Sequence, residues 1–468
     1  MLVEIHVLQT HCPSNLNRDE LGAPKTAMFG GSERARISSQ CLKRNIRKSD
    51  LFIKAFPDKR QLQTRTFPEM VREHLLGLPE NDRPKEPEVK EIVESCKKIA
   101  SKKEKGGKDQ DADDDREITP QAVKLGPKEA EEFVRLLMGL RKEKKEDYAL
   151  FLEMGKKQPA GSGKKQPPKR PSPAFWEELR KAYKPTVDIA MFGRMTTSDA
   201  FANVEASVQV AHAISTDEAP RESDWFTAEE DKPREMETGA AYASREPLQY
   251  TSGTFYKYFN LHWEGFVKNT EANHGLTAAD AEKALAVLVC AAACSIPSGK
   301  RNSFGQNNLP DFVLVEVKKD NMPTNYANAF LHPVRWTKDK WGEHNVMDAS
   351  IERVGRYISA VRRGYGIDSD LRWFATNYEP WGDDCNTGKA PTAIAKDKRV
   401  ASLRELARFA LRQVLKLDKV DPSSGDDPQT DKKKKDEEED PRVENALSVL
   451  PGKKDTGKKQ GKDGSNGQ

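Results

Sequence analysis

The sequence predicts an α+β fold in which strands form one layer and helices pack on it. Three observations carry this expectation. Leu2–Gln9 alternates, with Val3, Ile5 and Val7 on one face and Glu4 and His6 on the other, the period of a strand. Ser38–Lys48 places Leu42 and Ile46 at i, i+4, the period of a helix. The second half returns to strands at Thr254–Trp263 and Phe312–Val317 around an Ala-rich helix, Ala278–Cys294.

The elements follow in order. Between the first strand and helix lies a loop, His11–Gly31, punctuated by Pro13, Asn15, Asn17, Gly22, Pro24 and Gly30-Gly31. Ser38 or Ser39 can cap the helix. Residues 128–154 carry Phe133, Leu136, Leu137 and Leu140 at helical spacing, between low-complexity stretches rich in Lys, Glu, Asp, Gly and Pro. Val187–Met191 reads as a strand and Asn203–His212 as another apolar segment. Ser215–Tyr250 is a charged, Pro-interrupted excursion with Trp225-Phe226 as its apolar anchor. Asp348–Arg362 and Ser402–Leu417 are amphipathic helices, and the chain after Asp418 reads as a disordered charged tail.

Composition excludes some functions. Lys+Arg 78 against Asp+Glu 74 leaves a formal charge of +4 over 468 residues, so partners must be sought in local clusters. The six cysteines form no C-x-x-C and no metal-site spacing, and Cys290 and Cys294 read as packed thiols. Neither a metal nor a cofactor is expected. The apolar run Ala284–Ile296 is too short for a bilayer, which needs about 20 residues, and residues 1–20 lack a secretory pattern. The expected compartment is the cytoplasm. No H-E-x-x-H, Walker-type or G-x-S-x-G motif occurs, and the eight histidines are scattered, so no catalytic residue is expected.

Residues 18–48 hold eight Lys/Arg (Arg18, Lys25, Arg34, Arg36, Lys43, Arg44, Arg47, Lys48) against three acids, a local +5. Nucleic-acid affinity comes largely from neutralised phosphates. Ser38 and Ser39 at a helix start favour an anion, and Gly30-Gly31 permits close backbone approach. A solvated basic helix face is the plainer alternative; loop, glycines, cap and helix face together favour phosphate. Two weaker signals accompany this segment. Gly193-Arg194-Met195 follows the 187–192 segment and offers a guanidinium fork beside an apolar wedge, or a core Met beside a surface Arg. Lys300-Arg301, just past the Ala-rich helix, can touch a phosphate backbone or complement the helix C-terminus. Asp19, beside Arg18, reads as an ion pair holding the loop.

Several motifs resemble one family. Ile5-His6-Val7-Leu8, Pro13–Asp19, Phe29-Gly30-Gly31, Arg34–Gln40 with Leu42-Lys43-Arg44, Val187–Ala190 with Gly193-Arg194-Met195, Ala211–Ile214, Asp224–Ala228, Ser252–Tyr256 and Met322-Pro323 with Ala327–Phe330 resemble the CasC family, the backbone subunit of the type I-E Cascade complex. The resemblance covers residues 1–50 and about 187–365. It implies a hand: a palm of modified RNA-recognition-motif (ferredoxin-like) fold over 1–55 and 186–420, helical fingers over 56–185 with low-complexity insertions at 97–127 and 155–174, a thumb at 215–250, and a disordered tail at 421–468. It implies copies stacking along a CRISPR guide RNA, which pairs with a target DNA strand, in company with other Cascade subunits and a recruited helicase-nuclease. Carried over by motif, Lys25, Ser38, Gln40, Lys43 and Arg47 contact the guide backbone, and Arg194 and Met195 grip and wedge it. Asn17, Arg18, Arg34, Arg36, Ser39, Arg44, Lys300 and Arg301 complete the expected RNA surface, and Trp225 and Phe226 the subunit contact. The thumb departs from the family in its extra acids, Glu229, Glu230, Asp231 and Glu235. The rival readings are a type III-like subunit cutting RNA with Asp19 and a metal, and a nonspecific RNA-binding protein.

Overall fold

The structure, a computed structural model, describes residues 1–99, 119, 122–156, 169–225, 227–229, 240–242, 247–271, 275–339, 342–376, 398–416 and 440–451. The chain opens with β1 (Leu2–Ser14), a hairpin of β2 (Thr26–Phe29) and β3 (Ser32–Ile37), and α1 (Ser39–Arg47). After a helical insertion come β4 (Leu248–His262), α2 (Ala278–Cys294), β5 (Phe312–Lys318), α3 (Val346–Tyr365), β6 (Ser369–Ala375) and α4 (Leu403–Val414). The fold is mixed α/β, built on a nine-stranded sheet in which every pairing is antiparallel. Its order runs β6-β5-β1-β4, then the short strand Ala213–Ser215, β3 and β2. Fourteen α-helices lie among the described residues.

β1 is central, paired with β4 from Leu2↔His262 and with β5 from Leu2↔Lys318. A central strand needs cover on both faces, and it has it. Val3, Ile5 and Val7 join the core under α1, α2 and α4. Leu8 joins a second core under α3 and the Tyr326–Phe330 turn. Glu4 and His6, the polar side of the alternation, are therefore buried rather than solvent-facing. Glu4 forms an ion pair with Lys318 and accepts from Tyr258 Oη and the Thr324 amide. His6 Nδ1 meets Tyr256 Oη at 2.8 Å. Burial, with Lys318 nearby, pushes the His6 imidazole down to about 3, because a dry site disfavours the cation.

The insertion has its own core, built by five helices between Phe67 and Arg180, with Phe67, Ile92, Phe133, Phe151, Phe175 and Trp176 among its members. Ile99 ends one of these helices, and Val123–Leu125 is a strand paired with Leu62–Thr64, so order reaches into both ends of the expected 97–127 linker; 100–118, 120, 121 and 157–168 lie outside the described residues. Two expectations are corrected. Val187–Phe192 is a helix, capped by Thr186, whose hydroxyl accepts from the Ile189 amide, and not a strand. The tail contains a helix, Pro441–Leu447, whose Val443, Ala446 and Leu447 are buried in the core under α2 and α4.

Candidate nucleic-acid interface

α1 docks through Leu42 and Ile46, both buried, each burial contributing about 1.5–3 kcal/mol. Ser38 is its N-cap and accepts from the Cys41 amide at 3.3 Å. This turns Gln40, Lys43, Arg44, Arg47 and Lys48 outward or to the rim. The preceding loop is tied to the helix start: the Ser38 amide donates to Asn17 Oδ1 at 2.9 Å, and the Lys25 amide to the Asn17 carbonyl at 2.8 Å. Asn15 Nδ2 donates to the carbonyls of Gly22 and Gln249. Gly299 packs so tightly on this loop that a Cβ there would stand 2.5 Å from the Leu16 carbonyl oxygen. Lys300 and Arg301, which follow it, are exposed. Arg301 also donates to the Ile296 carbonyl, which supports its helix-end role as well.

Asp19 does hold the loop, by accepting from the Leu21 and Ala23 amides, both at 2.9 Å, in place of the expected ion pair with Arg18. At the hairpin, Gly30 has φ of 61° and lies against the Leu331 carbonyl; glycine there serves packing on the protein's own backbone.

Two expected RNA contacts are corrected. Arg34 is fully buried, donating to the carbonyls of Ser215, Thr216 and Phe330 at 2.8–3.0 Å. Arg194 is 3% exposed and forms an ion pair with Glu129 at 2.8 Å, stacking over the Tyr183 ring. It also donates to the carbonyls of Ala202 and Lys124, so it bolts the insertion to the sheet domain. Its neighbour Met195 is 93% exposed. Trp225 is exposed; Phe226, Glu230, Asp231 and Glu235 lie outside the described residues, as does the side chain of Glu229.

Two groups of cations remain on the surface. Lys25, Arg36 and His212 sit together: Arg36 Nη1 is 3.1 Å from His212 Nδ1, and burial, then Arg36 and Lys25, lowers the His212 imidazole. Lys43 is half-buried, its ammonium lowered by desolvation. Arg47 Nε donates to Asp188 Oδ2 at 3.0 Å, so its charge is partly matched. Lys124 comes from the insertion, and its Nζ donates to the Gly193 carbonyl at 2.9 Å. Desolvation lowers its ammonium first, and the charges of Arg47 and Lys43 lower it further. Lys43 and Lys124 therefore feel each other's charge, and Lys124 and Met195 line one pocket. Three nearby cations, with Asp188 bonded to one of them, make an anion-seeking site. Neither Lys124 nor His212 was among the expected RNA contacts, although His212 lies in the family motif Ala211–Ile214; the sole signal for Lys124 is the alternation of Val123-Lys124-Leu125.

Among the described residues, Glu4, His6 and Glu316 form the group whose ligand atoms lie close enough for a metal. The two carboxylates are engaged by the protein itself, Glu4 by Lys318, Tyr258 and the Thr324 amide and Glu316 by Tyr326 Oη and Ser369 Oγ, while His6 Nε2 has no hydrogen-bond partner. The Lys318 ammonium already supplies a cation to Glu4. No helix among the described residues is long and apolar enough to cross a membrane.

A family model described as CT1975-like protein matches residues 3–406. Among curated proteins, none matches. Among solved structures, the chain is similar to one described as "CRISPR RNA-guided surveillance complex, pre-nicking", at 25% identity and a TM-score of 0.64, over 88% of this chain and 100% of that one. Another, described as "CRISPR RNA-guided surveillance complex", is 21% identical with a TM-score of 0.57 over 88% and 100%, and speaks for the fold alone. With the family model spanning the sheet domain and the insertion alike, the chain belongs to the CT1975-like protein family.

Proposed function

We propose that the chain is a guide-RNA-binding backbone subunit of a CRISPR surveillance complex of the type I-E Cascade kind, a cytoplasmic holder of RNA with no catalytic step of its own. The observation that carries this is the cation cluster of Lys43, Arg47 and Lys124 beside the exposed Met195. A subunit that serves any guide must read phosphate and ribose rather than base edges. The similarity to a chain of a CRISPR RNA-guided surveillance complex supports the same reading.

The palm corresponds to a modified RNA-recognition motif made of β1, β4, β5 and β6. Ordinary members of that fold stack bases on the open sheet face. Here α3 and the Tyr326–Phe330 turn cover that face, so the guide is left the loop and helix side, where Arg18, Lys25, Arg36, Lys43, Arg44 and Lys124 lie. Its remaining partners are the target DNA strand, further copies of the chain, other Cascade subunits and a helicase-nuclease. Asp19, whose Oδ1 accepts from the Leu21 and Ala23 amides, is assigned to the loop rather than to cleavage.

The test is guide binding by the Lys43→Ala, Lys124→Ala double variant across a salt series. Each phosphate contact on a single strand contributes about 0.7 to the slope of log affinity against log salt. The slope falls by about 1.4 and affinity drops similarly for unrelated spacers. An unchanged slope, or a loss confined to some spacers, contradicts the proposal.

A further inference from the structure

A second basic surface lies on the other side of the sheet. α1 packs on the Val3/Ile5/Val7 face and α3 on the Leu8 face. Between α3 and the segment that follows the Tyr326–Phe330 turn is an open cleft of about 400 Å³ lined by Pro333, Arg335, Glu352, Arg353 and Arg356. Arg335 and Arg356 are exposed, and each rests on a carboxylate, the exposed Glu218 at 3.3 Å and the half-buried Glu352. Such surface pairs are weak and readily exchanged. Arg353 donates to the carbonyls of His332 and Pro333. Three guanidiniums thus face two carboxylates. The buried Arg34 donates to the neighbouring Phe330 and Leu331 carbonyls, and its charge is felt by Asp217 and Glu218 as well as by Arg353. Trp336, next in sequence to Arg335, is 57% exposed.

We infer that this cleft binds the phosphate backbone of a second, unpaired nucleic-acid strand, distinct from the guide, with a base stacked on Trp336. Guanidinium forks match phosphate oxygens two at a time, and an exposed indole one residue along the chain from Arg335 is the kind of stacking platform that single strands use. An acidic peptide would use the arginines but leave the indole without purpose. That the strand is separate from the guide rests on the reading above, which puts the guide on the α1 side; binding of a strand in this cleft stands on the cleft itself.

The protein, with the RNA that copurifies with it, is titrated with labelled oligothymidine over a salt series. Arg335→Glu with Arg356→Glu reverses two exposed charges and leaves the Arg353 backbone bonds in place. The expected results are at least a tenfold loss of oligothymidine affinity at about 0.1 M salt and a slope smaller by about 1.4, with RNA content and melting temperature unchanged. Trp336→Ala weakens binding with no change of slope, since stacking releases no counterions. Unaltered oligothymidine binding in the double Glu variant overturns the inference. So does loss of the copurified RNA, which would make the cleft part of the guide's own path, and so does a polyglutamate that binds as tightly as oligothymidine. Failure of the guide role is read separately, from the identity of the copurified RNA.

Discussion

Replacing Arg194 with Met removes a charge from the junction of insertion and sheet while keeping its volume. Arg194 and Glu129 are each 3% exposed, and the guanidinium meets both carboxylate oxygens, at 2.8 and 3.0 Å. Breaking a buried pair from one side strands the other charge, at about 3–5 kcal/mol. The stacking on Tyr183 is lost as well. Burial already raises the Glu129 carboxyl, and Arg194 is the main group pulling it back. In Arg194→Met it rises further. An acid whose folded pKa lies above its unfolded value binds more protons when folded, so stability falls as pH rises between the two. The deficit of Arg194→Met is thus larger at pH 8 than at pH 5. Urea unfolding followed by tryptophan fluorescence reads both quantities. Adding Glu129→Gln removes the stranded charge and restores most of the loss. A deficit below about 1 kcal/mol, together with weakened RNA binding, would return Arg194 to the surface and refute this reasoning.

Three further outcomes follow from the same structure. Gly30→Ala, with φ of 61° and a Cβ 1.7 Å from the Leu331 carbonyl oxygen, destabilises the hairpin by about 2 kcal/mol or more; Gly31→Ala, at φ of 83° with nothing within 4 Å, costs only about 1 kcal/mol, and equal losses in melting experiments would contradict the packing argument. His6 and His11 are each held down to about 3 by burial first and a nearby lysine second. Their neutral forms support the fold fully above the unfolded value near 6.5, and that support is lost as pH falls from there towards 3, by up to about 1.4 kcal/mol per pH unit per histidine; a flat stability profile between pH 6.5 and 4 would count against it. Met195→Ala leaves stability within about 0.5 kcal/mol of the parent and weakens guide binding; a clear loss of melting temperature would place that side chain in a packed interior.

The long periodic elements were legible in the sequence. Ala278–Cys294 matches α2 residue for residue, and the strands beginning at Leu2 and Phe312 match in place. The misreadings have physical causes. Val-Asp-Ile-Ala-Met-Phe is too short to show a period, and burial of all six side chains erases any polar face. Pro441–Leu447 hides in a charge-rich stretch because three buried side chains are enough to dock one short helix. The basic surface was visible as charge density, but density does not tell an outward arginine from one turned inward. Arg34 and Arg194 meet carbonyls and a carboxylate donated by distant segments, which local sequence does not display. Lys124 was obscured by the low-complexity run before it, although it completes the cluster on α1.

The most direct test of the guide-holding role is the sequence of the RNA that purifies with the protein from cells carrying a CRISPR array. The account predicts RNAs of uniform length that share one repeat-derived end and differ in their spacers. Random fragments of cellular RNA, or no RNA at all, would contradict it.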